Sequence, residues 1–429
     1  MGSAHNELAP LLASIRASGV SGNYDNHKGR RYLVDGLASS LLLLFALDQL
    51  LKLASILHFF HRPLPSAPDP WPSLTLFQPI TRGVSSLAAS LRARALLDYP
   101  ATIHHLWICD ERDRAAQEQC RALLAEFPHL SGQLLLAKAV EGRAVASKIE
   151  KLLVALPHAT GEVFWFLDDD VAPRPDAARL LTSSLFQPRA GAVFGLACYT
   201  NWRTLWSSLM SAFVNANALL SYIPLTYLIE PFTITGHCFA LRREVFERAG
   251  GFDGMEGRID DDHDLARRMR KLGLRNVQTL VIYDVDNDFD SWQAYSKQIK
   301  RWFVFPRQAM LPFMGVREQV VSLVGSLGQL LPGLLLLLFL FTWKRSAFRA
   351  LLACLGLFGA VYLLNEICYE KRRTPLKGWL MLPVVALFVP LQILWALVSN
   401  NEIEWRGQRM RISIGGRMEI VGESKRQMS

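Results

Sequence analysis

The sequence predicts an α/β domain with a mostly parallel sheet, set between N- and C-terminal transmembrane helices. Three observations predict it. Across residues 73–303, strand-like and helix-like runs alternate as βαβαβαβ, an order that calls for parallel strands with helices on both faces. The chain combines a mean hydropathy of +0.17 with only 20% charged residues, an apolar excess over an ordinary soluble domain. That excess is concentrated in long apolar runs toward the two ends. With 429 residues there is room for two or three structural units, and 51% hydrophobic content excludes disorder over most of the length.

Residues 1–32 read as a polar tail. Leu8, Leu11, Leu12 and Ile15 stand there at helical spacing before Gly19, as in a short amphipathic interfacial helix or a frayed end. A transmembrane helix is expected over 33–60. Its run GLASSLLLLFALDQLLKLASILHFF (36–60) holds two charges, Asp48 and Lys52, spaced to pair on one face. A buried core helix is the alternative, since a bilayer would have to hide both charges. The run starts too late for a signal peptide, and no small-x-small site follows it.

The α/β domain is placed at 70–291. WPSLTLFQPI (71–80) is an alternating strand after proline punctuation, and SLAASLRARALLDYP (86–100) is a helix stopped at Pro100. TIHHLWICD (102–110) is a strand ending on Asp110, followed by a helix over 112–128 and a strand over 132–140. VASKIEKLLVALPHATG (145–161) is a helix, and EVFWFLDDD (162–170) is a strand running into three carboxylates. Residues 292–315 form an amphipathic interfacial helix, 316–398 a transmembrane region of about three segments, and 399–429 a basic tail. The charge-free stretches 323–341, 350–365 and 378–398 approach the ~20 residues that a crossing helix needs. One N-terminal and three C-terminal crossings would leave the tail on the far side from the α/β domain. The basic tail argues for the near side, and Gly325, Gly328 and Pro332-Gly333 make 316–341 the expected re-entrant segment.

The net charge is +9, and the basic residues crowd the flanks of the apolar runs, as in Lys371 to Arg373 and Arg406 to Arg411. That pattern suits a lipid bilayer with anionic headgroups; no basic helix interleaved with aromatics points to nucleic acid. Six cysteines without a C-x-x-C pair argue against zinc and against a disulfide framework, and fit a reducing, cytosol-facing domain.

In an open α/β sheet, ligands bind beyond the carboxyl ends of the strands. Asp110 and Asp168 to Asp170 sit at such ends. In an extended segment Asp168 and Asp170 face the same way, and two converging carboxylates need a cation between them. Hard oxygen ligands favour Mg²⁺ or Mn²⁺, which bridge diphosphate oxygens; a solvated acidic turn is the alternative. A second cluster, GRIDDDHDLARRMRKLG (257–273), opens a helix. Capping by Asp260 explains one or two of its acids, and the rest point to a general base. In SWQAYSKQIKRWFVF, Gln298 and Arg301 lie three apart beside an aromatic stripe that includes Trp302. This reads as a helix lying on the membrane, or as an arginine that neutralises a phosphate leaving group with an aromatic beside the substrate. YDVDNDFDS (283–291) is not a calcium loop, because Phe289 and Tyr295 stand where glycine and glutamate are needed.

Asp110 after one strand, D-x-D after a later one, an acid-rich helix start and then Q-x-x-R-W resemble, in that order, the membrane-bound family 2-like inverting glycosyltransferases. Finer segments are similar to the ceramide glucosyltransferase family: TLFQPITRG (75–83), LLDYP (96–100), ITGHCFALRREVFERAGGF (234–252) and EWRGQRMRISIGG (404–416). The resemblance covers about residues 73–420. It departs at Gln78, where the family commonly has lysine, and around Lys148, which follows alanine-serine rather than asparagine-proline.

The resemblance implies a glycosyltransferase A-type, Rossmann-like domain. Asp110 and Lys148 would bind the UDP-sugar donor, and Asp168 and Asp170 the metal on its diphosphate. Asp262 would be the general base. Gln298, Arg301 and Trp302 would close over the diphosphate and the acceptor entrance, and His237 would touch the acceptor. The expected activity moves a hexose, glucose favoured, from a UDP-sugar to a lipid hydroxyl, ceramide favoured, with a β-linked product. The catalytic domain would face the cytosol from a bacterial plasma membrane or an ER–Golgi membrane, with no obligate protein partner. A hopanoid, diacylglycerol or carotenoid acceptor and a polysaccharide synthase are alternatives, and a transporter or scaffold with an acidic ion site is the non-enzymatic one.

Overall fold

The computed structural model describes residues 8–81, 84–139, 147–256, 258, 261–405 and 408–423, with side chains from Tyr32 onward except at 405 and 423. Asp260, read above as a helix cap, lies outside the described residues. Eight strands form one sheet: β1 (Leu74–Pro79), β2 (Ile103–Asp110), β3 (Ser131–Ala137), β4 (Val163–Leu167), β5 (Val171–Ala172), β6 (Ala190–Tyr199), β7 (Cys238–Arg242) and β8 (Arg275–Val285). Their order is β3-β2-β1-β4-β7-β6-β8-β5. β7 pairs antiparallel with β4 and β6, as does β5 with β8; the other pairs are parallel.

The near-continuous apolar strands follow from burial on both faces. In β4, Val163, Trp165 and Leu167 enter one core while Phe164 and Phe166 enter the other. The second core is closed by Ile149 and Leu152 of helix Lys148–Ala155 and by Leu265 and Met269 of helix Asp261–Lys271. The first core does not stop at the domain surface. It continues from Trp165 through Met210 and Phe213 into Phe45, Leu351 and Val385 of the apolar helices. Sheet and apolar helices therefore share one core.

Five helices among the described residues are long and apolar enough to cross a membrane: Tyr32–His61, Leu205–Leu225, Val316–Thr342, Arg345–Glu370 and Leu376–Val398. The first belongs to a helix running from Leu8 to His61, which passes Gly19 without a break. Leu205–Leu225 lies outside the helices expected from the sequence. Its mean hydropathy of 1.2 is the lowest of the five, because Ser207, Ser208, Asn215 and Asn217 interrupt the run. Those residues face polar backbone: Asn215 brackets Tyr199 by accepting from its N–H at 2.7 Å and donating to its carbonyl at 2.9 Å.

The stretch 316–342 is broken by a 3-10 turn at Gly328–Leu330. Helix Leu376–Val398 has polar contacts at both of its ends. At its start Lys377 Nζ donates to the Arg203 carbonyl at 3.3 Å, and just past its end Asn400 Oδ1 accepts from Lys300 Nζ at 2.6 Å. Its start thus rests on the α/β domain and its end on helix Trp292–Phe305. Three short strands follow: β9 (Glu402–Trp405), β10 (Gln408–Ile412) and β11 (Met418–Glu423). They form an antiparallel sheet whose Ile403, Met410 and Ile412 pack on Val304 of helix Trp292–Phe305.

Candidate active site

The carboxyl ends of β1, β2, β4, β6 and β8 open on one edge of the sheet, and the start of β7 joins them because β7 runs the other way. That reversal brings His237 beside Asp168: the Asp168 N–H donates to the His237 carbonyl at 3.0 Å. Asp110 closes β2, 3% exposed, with its Oδ1 accepting from the Arg112 N–H at 3.0 Å. Two strand spacings, about 10 Å, separate β2 from β4 across β1, so Asp110 stands apart from the D-x-D segment along the same edge.

Asp168 to Asp170 do not continue the strand, as the sequence reading assumed. The chain turns there, with the Val171 N–H donating to the Asp168 carbonyl at 3.2 Å. The physical reason is Arg94, 1% exposed, from helix Leu87–Ala95. Its guanidinium donates to the carbonyls of Asp168 and Val171 and to Gln78 Oε1. The turn sends Asp169 to accept from the Thr81 N–H. Asp170 Oδ1 is buried with no hydrogen-bond partner.

Lys148 is the knot of the site. It is the first residue of a helix held by a capping box between Ser147 and Glu150. Its Nζ lies 2.9 Å from Asp168 Oδ1 and 3.3 Å from Asp261 Oδ2, and donates to the Gly236 carbonyl at 2.9 Å. Gly236 lies against the Asp262 carboxylate: a Cβ there would come 2.7 Å from Asp262 Oδ2, so that side chain would have to shift. Asp262 Oδ1 also accepts from the His263 N–H at 2.7 Å. Lys148, Asp168, His237, Asp261 and Asp262 therefore converge.

Helix Trp292–Phe305 brings Arg301 and Trp302 to this edge. Arg301 donates to Gln298 Oε1 at 2.9 Å, and the Trp302 ring stands edge-on to Tyr199 at 6.2 Å and tilted on Phe213 at 6.5 Å. Arg301 acts electrostatically on both Tyr199 and His237.

The electrostatics divide the three aspartates. Burial opposes the charge on Asp168, but Lys148, then His237 and Arg94, outweigh it and hold its carboxyl below the ordinary range. Burial raises Asp169, against the Thr81 N–H. Burial, then Asp169 and Asp168, push Asp170 up to about 8. Burial also works against the Lys148 ammonium, yet Asp168 and Asp261 keep it charged well above the usual lysine range. Burial lowers Arg94 to about 10 against the pull of the three aspartates. Such crowding fits a divalent cation: Asp170 has an orphaned buried oxygen and a raised pKa, and Asp168 lies beside it. Among the described residues no group of three or more His, Cys, Asp and Glu side chains is arranged to hold a metal, so further ligands would have to come from the substrate.

Arg94, Asp261 and Gly236 were not singled out as site residues from the sequence. Arg94 left a signal, a charge at the third position of the buried stripe Leu87, Leu91, Arg94, and Asp261 left one as a member of the acid-rich helix start.

Solved structures similar to this chain include a mannosyltransferase from Pyrobaculum calidifontis in complex with GDP-mannose and Mn²⁺. It shares 18% identity and a TM-score of 0.47 over 84% of this chain and 99% of that one. GalNAc-T7 with UDP, GalNAc and Mn²⁺ shares 12% identity and a TM-score of 0.40 over 59% and 54%. S. aureus TarS 1–349 shares 12% identity and 0.36 over 82% and 100%. All three scores lie below 0.5, and nothing about this chain's donor or cofactor follows from them. The profile of glycosyl transferase family 21 matches residues 41–418, which takes in the sheet, the acidic edge, the Q-x-x-R-W helix and the apolar helices. The chain belongs to that family, the ceramide glucosyltransferase family, and is a glycosyltransferase.

Proposed function

We propose that the protein transfers a hexose, glucose favoured, from a UDP-sugar to the hydroxyl of a membrane lipid, ceramide favoured, with inversion at the anomeric carbon. The observation that carries this reading is the convergence of Lys148, Asp168, His237, Asp261 and Asp262 beside the Q-x-x-R-W helix, which packs against the apolar helices. A soluble donor and a lipid acceptor would meet there.

In this reading Asp262 takes the proton of the lipid hydroxyl, and the freed oxygen attacks the anomeric carbon. The bond from that carbon to the donor phosphate breaks, and its electron pair leaves with UDP. Arg301, oriented by Gln298, neutralises charge growing on the diphosphate, and Trp302 walls the acceptor entrance. Asp110 binds the uracil or ribose end, and His237 flanks the acceptor. Lys148 keeps Asp168 ionised and aimed, and contributes to the donor site. Asp168 and Asp170 would hold Mg²⁺ or Mn²⁺, which supplies Lewis-acid stabilisation of the diphosphate.

The α/β domain and the basic tail then lie on the cytosolic side, and Tyr32–His61, Val316–Thr342 and Arg345–Glu370 cross. Leu376–Val398 lies against the domain without crossing, which gives the tail the side its packing requires.

Purified protein with UDP-glucose and ceramide should release UDP and yield a glycolipid visible by mass spectrometry. Asp262→Asn should abolish transfer while UDP still binds by calorimetry; turnover like that of the parent chain would sink the assignment.

A further inference from the structure

The reaction does not use one buried hydroxyl beside the acidic edge. Tyr199 closes β6 and is 2% exposed. Asn215 holds its backbone N–H and carbonyl, and its ring packs edge-on to Trp302 at 6.2 Å. Neither contact involves the hydroxyl. That oxygen is buried without a hydrogen-bond partner. The Asn287 amide, in the segment after β8, favours the phenolate as a donor would, but makes no bond of good geometry. The O–H proton has nothing to receive it.

The sheet register places this hydroxyl group's residue level with the D-x-D turn. Val171, which follows Asp170, and Tyr199 pair with Val285 from its two sides. Their backbones are two strand spacings apart, about 10 Å. Burial, then Asp170, hold the Tyr199 phenol well above its usual range, against Arg301. The group therefore stays an O–H and has one proton to donate. Asp170 Oδ1 is the other orphaned buried atom at this lip. Two such atoms together call for a ligand. A cation with its anion answers both: the cation takes Asp170 Oδ1, and an anionic oxygen takes the Tyr199 proton.

We propose that Tyr199 binds the donor diphosphate, its hydroxyl donating to a phosphate oxygen held between the cation site at Asp170 and Arg301. The proposal rests on the reading that Asp170 and Arg301 receive that diphosphate. Charge on it grows as the bond to the anomeric carbon breaks, so the hydrogen bond strengthens toward the transition state. In the free chain the hydroxyl is unsatisfied, and its removal should cost no stability.

The test compares Tyr199→Phe with the parent, both as full chains in lipid nanodiscs with Mn²⁺. Calorimetry should show UDP bound about ten- to a hundredfold more weakly by the variant, the range for one hydrogen bond to a charged group. Affinity for uridine, which has no phosphate, should not change, nor should Mn²⁺ affinity without nucleotide. Thermal unfolding of the nucleotide-free variant should start no lower than in the parent. Unchanged UDP affinity overturns the proposal and leaves the hydroxyl to a bound water. Earlier unfolding with uridine weakened alongside UDP assigns Tyr199 a structural role and also overturns it. So does a change in Mn²⁺ affinity alone, since Tyr199 would then act on Asp170. A parent chain that binds GDP and not UDP sinks the donor reading, and the same comparison with GDP then decides Tyr199. A parent that binds neither nucleotide overturns both.

Discussion

At the residue scale the site is set by which carboxylates are held ionised. Asp168 has Lys148 at 2.9 Å, whereas Asp170 has a buried oxygen with no partner. Asp170 therefore keeps its proton up to about pH 8 when no cation is bound. A carboxyl whose folded pKa exceeds its ordinary value costs the folded chain stability as pH rises from about 4 to about 8, and a bound cation removes that cost. Mn²⁺ affinity should accordingly rise by up to about tenfold per pH unit between pH 6 and 8, with release of one proton. Calorimetry in buffers of different ionisation enthalpy reads that proton directly, and a pH-independent affinity would contradict it. Gly236 makes a second, steric prediction. A methyl group there would displace Asp262, so Gly236→Ala should lower kcat about a hundredfold with donor affinity retained.

At the scale of elements, the helix Leu87–Ala95 does more than cover the sheet. Arg94 ties it to the turn after β4 and to Gln78 of β1. The cation beside the aspartates thus comes from the helix that follows β1, and it holds Gln78 as well. Arg94→Met would leave three acceptors unanswered and buried aspartates uncompensated, and should cost about 3–5 kcal/mol of stability. Arg94→Lys should rescue it only in part, since one ammonium cannot reproduce the guanidinium fork. Thermal unfolding with and without Mn²⁺ measures both. Much of this element was legible. The helix, its start near 86 and the strand after it follow from apolar spacing, whereas its end falls at Ala95 rather than at Pro100. That Arg94 points inward was not, because a lone arginine in an apolar stripe is seen to be buried only once its partners on β1 and after β4 are in place.

For the whole molecule, sheet and apolar helices share one core. If Val316–Thr342 and Arg345–Glu370 cross and Leu376–Val398 does not, Lys344 lies on the side opposite Arg373 and Asn400. Cysteines placed singly at these three positions in a Cys368→Ser background should divide accordingly with a membrane-impermeant maleimide. Labelling of all three from one side would refute the arrangement.

The sequence by itself determined the order of strands and helices up to the D-x-D segment, the carboxylates at strand ends, the Q-x-x-R-W helix and most of the apolar runs. These are local patterns, written in side-chain period and in the residues that stop each element. Only the tertiary structure decided that the D-x-D segment turns, that Lys148 ties Asp168 to Asp261, and that Gly236 makes room for Asp262. It also decided that the last apolar helix meets Arg203 at its start and Lys300 just past its end. Each of these depends on residues tens or hundreds of positions apart, and the period of a helix or strand carries no record of its distant partners.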